Sequence, residues 1–102
     1  MELSQIREEI DKIDSSILEL LVKRFKLGDH IALAKHKQGK PLKDVEREKS
    51  LIEDRTKKME SLGYKDPIFI EGFFRLIINK MLQLEEDYLK EYIKKNENNK
   101  KS

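Results

Sequence analysis

Apolar residues recur along the first third of the chain at a helical step: Leu3, Ile6, Ile10, Ile13, Ile17, Leu20, Leu27, Ile31 and Ala34. Steps of three and four residues place them all on one face of an α-helix. No Pro interrupts the run, and Gly28 is the one Gly inside it. Ser4 is placed to cap its start, and Gly39 followed by Pro41 supplies the stop. The spacing predicts one helix over residues 4–38, about 50 Å long at ~1.5 Å per residue. A mean globular helix has about 11 residues. A helix this long does not fit inside a compact monomer of 102 residues, so it needs something to lie along.

The remainder reads the same way. After a loop at Gly39–Lys43, Asp44 is placed to cap a second helix whose stripe is Val45, Ile52, Met59 and Leu62. Leu62-Gly63-Tyr64-Lys65 is a turn, and Asp66-Pro67 sets the cap and first position of a third helix reaching about Ile93. No strand pattern and no internal repeat is visible. The expected fold class is all-α, with three helices per chain and a long N-terminal one. One helical domain over residues 1–94 is expected, followed by a polar tail over 95–102 without fixed structure.

Charged residues make up 41% of the chain, against ~25% in ordinary domains. The net charge is only +2, and the two signs are interleaved, which argues against the basic stripe of a nucleic-acid binder. There is no Cys, which excludes disulfides and thiolate chemistry. His30 and His36 lie six apart, off the i, i+4 spacing that would stack metal ligands on a helix. No basic-then-apolar leader follows Met1, and no apolar run approaches the ~18 residues that span a bilayer. A cytoplasmic protein without a metal, membrane or nucleic-acid partner is expected.

The informative charges are those on apolar rows. Position 24 of the first stripe is Arg24, and Lys35, eleven residues on, shares nearly the same face about 16 Å away. The second helix turns Glu48 inward, and Glu85 continues the third helix's row from Ile77 and Met81. Isolated buried charges are costly. These residues therefore either pair internally, as Arg24 with Glu48 or Lys35 with Glu85, or line a pocket for a small, multiply charged ligand. Composition alone does not choose.

Arg7 flanks the stripe seventeen residues before Arg24, roughly 25 Å along the axis. Within one chain the two do not reach one small ligand, and the plainer reading of Arg7 is a surface pair with Asp11 four residues on. An antiparallel pairing of two first helices about Ser15-Ser16 would bring Arg7 of one chain beside Arg24 of the other. A two-fold homodimer would also account for the over-long helix.

Taken as a set, Ile6-Arg7-x-x-Ile10-x-x-Ile13-Asp14, Leu20-Leu21-x-x-Arg24, Ala34-Lys35, Pro41 and Asp44-x-x-Arg47-Glu48 resemble the all-helical, AroQ-class chorismate mutase family over about residues 3–93. The resemblance implies an intertwined homodimeric helical bundle with two equivalent sites. The implied reaction is the cofactor-free [3,3] rearrangement of chorismate to prephenate in aromatic amino-acid biosynthesis. It also implies that Arg7 from the partner and Arg24 grip the substrate carboxylates. Lys35 would bond a carboxylate and the breaking ether oxygen. Glu48 would accept from the ring hydroxyl beside Asp44 at the start of the second helix, with Arg47 orienting it.

Two positions depart from the family pattern. Many members have Gln where this chain has Glu85, and a carboxyl donates to the ether oxygen only when protonated; activity is expected to rise as pH falls. Met81 stands where relatives often have a small hydroxyl residue, and reads as packing on the row that borders the substrate. Two other functions remain open. One is the related isochorismate pyruvate-lyase, which the stretch Phe69-Ile70-Glu71-Gly72-Phe73-Phe74 also resembles. The other is a non-catalytic or regulatory helical module.

Overall fold

The computed structural model describes the backbone of residues 1–101 and the side chains of residues 1–96. It consists of α1 (Leu3–Lys37), α2 (Val45–Ser61) and α3 (Pro67–Lys101), with no strand among the described residues. The expected all-α, three-helix chain with a long first helix is what folds.

Local chemistry sets each boundary. α1 begins one residue earlier than expected: Glu2, in extended backbone, is its cap, and the Glu2 N–H donates to Gln5 Oε1 at 2.8 Å. Ser4 lies within the first turn, because the Gln5 side chain satisfies the Glu2 N–H three residues upstream. At the other end Gly39 takes φ +67°. Its N–H bonds to the His36 carbonyl, and the Lys40 N–H to the Lys35 carbonyl at 2.8 Å. These are the two bonds of a Schellman stop, which needs a left-handed residue and so favours Gly. α2 ends identically at Gly63, φ +98°, with Tyr64 N–H returning to the Met59 carbonyl. Asp44 caps α2 by accepting from the Arg47 N–H at 2.9 Å. Asp66 caps α3 by accepting from the Phe69 N–H at 3.0 Å, with Pro67 at the first helical position. α3 continues past Ile93, where the apolar stripe ends but no Gly or Pro interrupts. The side chains of 97–102, most of the expected tail, lie outside the described residues.

α3 is the element on which both other helices pack. Ala32 of α1, Leu51 of α2, and Ile70, Ile77 and Met81 of α3 form the buried core. The face of α1 that α3 covers is not the large apolar stripe but a neighbouring row carrying Gly28 and Ala32. Small side chains there let Leu84 and Met81 come within 3.6–3.8 Å of where a Cβ on Gly28 would lie. The stripe itself stays uncovered: Leu3, Ile6, Ile10, Ile13, Ile17 and Leu20 are 40–63% exposed. The radius of gyration is accordingly 18.3 Å, in a body of 66 × 30 × 16 Å, where a compact domain of this length has about 13 Å. No described helix is long and apolar enough to cross a membrane.

Candidate active site

Where the second half of α1 meets the start of α2 and the middle of α3, the chain encloses a cavity of about 240 Å³. α1 contributes Arg24, Ile31 and Lys35; the connecting loop Leu42 and Asp44; α2 Arg47, Glu48 and Leu51; α3 Ile78, Met81, Leu82 and Glu85. Six of these lining side chains are apolar and six are charged. Of the residues singled out from the sequence, Arg24, Lys35, Asp44, Arg47, Glu48, Met81 and Glu85 meet here. Arg7 does not; it is exposed on the uncovered half of α1.

Lys35 is the best-anchored cation. Its Nζ donates to Glu85 Oε1 at 3.0 Å and to the Leu42 carbonyl at 2.5 Å. An ammonium has three donors, so one is left for a ligand. Glu85 is the buried charged residue among the described residues, 5% exposed. Of the two internal pairs weighed from the sequence, Lys35–Glu85 forms. Arg24–Glu48 does not: Glu48 is held instead by Arg75 at 2.5 Å and Lys43 at 3.3 Å. Asp44 spends an oxygen on the α2 cap. Every carboxylate of the cavity is thus engaged, while Arg24 and Arg47 have no carboxylate partner among the described residues.

The chorismate mutase type II family model matches residues 6–86. A chorismate mutase of Methanocaldococcus jannaschii is 36% identical over 101 residues, covering 92% of this chain and 94% of its own. The chain belongs to the chorismate mutase type II family. A bifunctional chorismate mutase/prephenate dehydratase of Buchnera aphidicola from Schizaphis graminum is 38% identical over 101 residues, covering 96% of this chain. The T-protein of Enterobacter agglomerans is 35% identical over 86 residues, covering 84%. The chain spans about a quarter of the length of these last two relatives, 25% and 23%.

The electrostatics of this chorismate mutase-family cavity favour an anion. The Arg24 guanidinium is held below its usual pKa, first by burial, then by repulsion from Arg55 and Arg47, with Glu85 opposing. A part-buried guanidinium repelled by neighbouring cations is stabilised when a further carboxylate arrives. Arg47, expected to orient Glu48, makes no ion pair with it; Arg75 does. The sequence alone assigns no role to Arg75, Lys43 or Arg55. Arg75 lies four residues after Glu71, a spacing that reads as a surface pair, and no local rule ties it to Glu48, 27 residues earlier.

Proposed function

We propose that the chain is a chorismate mutase, converting chorismate to prephenate in the cytoplasm as a homodimer with two sites. In this rearrangement the ether C–O bond breaks as a C–C bond forms within the same molecule, so atoms and electrons balance without a cofactor. The enzyme must hold a dianion in its compact conformer and meet the negative charge that grows on the ether oxygen. Arg24 grips one carboxylate through its planar fork. Lys35 offers its free N–H to a carboxylate and the ether oxygen. Glu85, held beside Lys35, faces the same oxygen and donates to it when protonated. Glu48 accepts from the ring hydroxyl next to Asp44 and Arg47, and Met81 packs against the ring. One observation carries the reading: two guanidiniums without carboxylate partners among the described residues share a cavity with apolar side chains and an anchored lysine.

The second carboxylate is assigned to Arg7 of the partner chain. The exposed stripe of α1 supports this, because a half-helix of uncovered Ile and Leu is left unburied by the described residues of its own chain. Antiparallel pairing about Ser15-Ser16 covers the stripe and carries Arg7 to the partner's cavity.

The test follows chorismate loss and prephenate formation by absorbance. Wild type is expected to turn chorismate over, and Lys35→Ala to lose about 10³-fold in kcat; turnover of isochorismate alone assigns a lyase instead. Solution mass should be twice 12.2 kDa. Mixing inactive Arg7→Ala with inactive Arg24→Ala tests the exchange: each heterodimer has one complete site, so random 1:1 pairing should restore about a quarter of wild-type activity. A mixture that stays dead rules out Arg7 acting across the dimer.

A further inference from the structure

Glu48 sits in a wall between two cavities. One is the site described above; the other, about 390 Å³, opens on the far side and is bordered by Lys43, Glu71 and Arg75. Its side chain is 12% exposed. On the far side Arg75 Nη1 donates to Oε1 at 2.5 Å, and Lys43 Nζ lies 3.3 Å from Oε2 and 3.5 Å from Oε1. We propose that Arg75 of α3, with Lys43 as its second, is a positioning residue that holds the Glu48 carboxylate at the cavity wall. The proposal rests on the chorismate mutase reading, in which Glu48 accepts from the substrate hydroxyl.

A glutamate side chain has three rotatable bonds and, ionised, about four acceptor directions. Two cations on its outer side fix the rotamer and leave the inner lone pairs facing the ligand. Arg75 suits this better than a lysine, because its donors lie in a rigid plane. It also ties α2 to α3, whose Met81 and Glu85 line the same site. The pair is a weak stabiliser of the fold: Arg75 is 41% exposed, and ion pairs with a solvated partner contribute little. Its effect is therefore expected in catalysis more than in stability.

The experiment is a double-mutant cycle on the full chain, with kcat/KM for chorismate and thermal melting read on each variant. Arg75→Ala should lower kcat/KM by about 10- to 100-fold with melting little changed. In a Glu48→Gln background the same substitution should change it less than about threefold, since the carboxylate it holds is gone. Arg75→Gln, which keeps the length and loses the charge, gives the same reading if the alanine variant fails to fold. Equal losses in both backgrounds, or no loss in Arg75→Ala, overturn the assignment while leaving the proposed function standing. No turnover by the unsubstituted protein overturns both.

Discussion

Lys35 and Glu85 are bound to each other, so removing the lysine acts on stability and on chemistry at once, and the two effects are separable. Glu85 is 5% exposed, and Lys35 is its hydrogen-bond partner among the described residues, at 3.0 Å. Breaking one side of a buried pair costs about 3–5 kcal/mol, because the remaining charge stays buried without compensation. Here Lys35 is 24% exposed and the pair faces a cavity that water enters, so Lys35→Ala is expected to cost about 2–3 kcal/mol. That corresponds to a fall in Tm of about 5–15 °C at fixed protein concentration. Adding Glu85→Gln removes the stranded charge, and the double variant should recover at least half of the lost stability. It should recover little of the lost turnover, because the Lys35 ammonium, which in the proposed mechanism meets both a carboxylate and the ether oxygen, is still missing even though the amide introduced at position 85 donates. The assay is denaturant melting beside chorismate kinetics on the same preparations. The reasoning fails if Lys35→Ala melts like wild type, or if the double variant is no more stable than Lys35→Ala. It fails differently if activity returns together with stability, since Lys35 would then act on catalysis only by holding the fold.

Arg24→Met keeps the length of a side chain that burial and two neighbouring guanidiniums already disfavour as a cation. Stability by denaturant melting should be unchanged or up to about 1 kcal/mol higher, while kcat/KM falls at least about 100-fold; a destabilised variant contradicts the crowding. Gly28 lies mid-helix with its nearest side-chain atoms at ordinary contact distance from an added Cβ, 3.6 and 3.8 Å. Gly28→Ala should therefore raise stability by about 0.5–1 kcal/mol, and a lowered Tm would show that Leu84 and Met81 have no room to give.

What the sequence makes legible here is local or periodic. Both Schellman stops, the Asp44 and Asp66 caps and the three helices follow from residues within a few positions of one another, which is why their boundaries fall within a residue or two except at the end of α3. The identity of the inward charges is also periodic, and the cavity brings together Arg24, Lys35, Glu48 and Glu85 from rows the spacing marked. The choice of face is where periodicity misleads. The bulkiest stripe of α1 looks like the core face, yet α3 packs on Gly28 and Ala32 beside it, because small side chains permit the closest approach of two helices. A stripe of Ile and Leu that one chain leaves bare is the stronger signal under the proposed homodimer, where it is the surface a second helix would bury. Pairing is the other illegible part. Glu48 finds Arg75 on another helix 27 residues away, and Lys35 finds Glu85 across 50. Such partners are fixed by how α3 lies across α1 and α2, and no spacing rule within one helix contains that information. Charge complementarity named Lys35–Glu85 as one possibility but equally named Arg24–Glu48, and geometry alone separated them. That outcome decides the chemistry: had Arg24 taken Glu48, the cavity would hold no guanidinium of α1 free for a carboxylate. With Glu48 claimed by Arg75 instead, Arg24 keeps no carboxylate partner among the described residues, as its proposed grip on a substrate carboxylate requires.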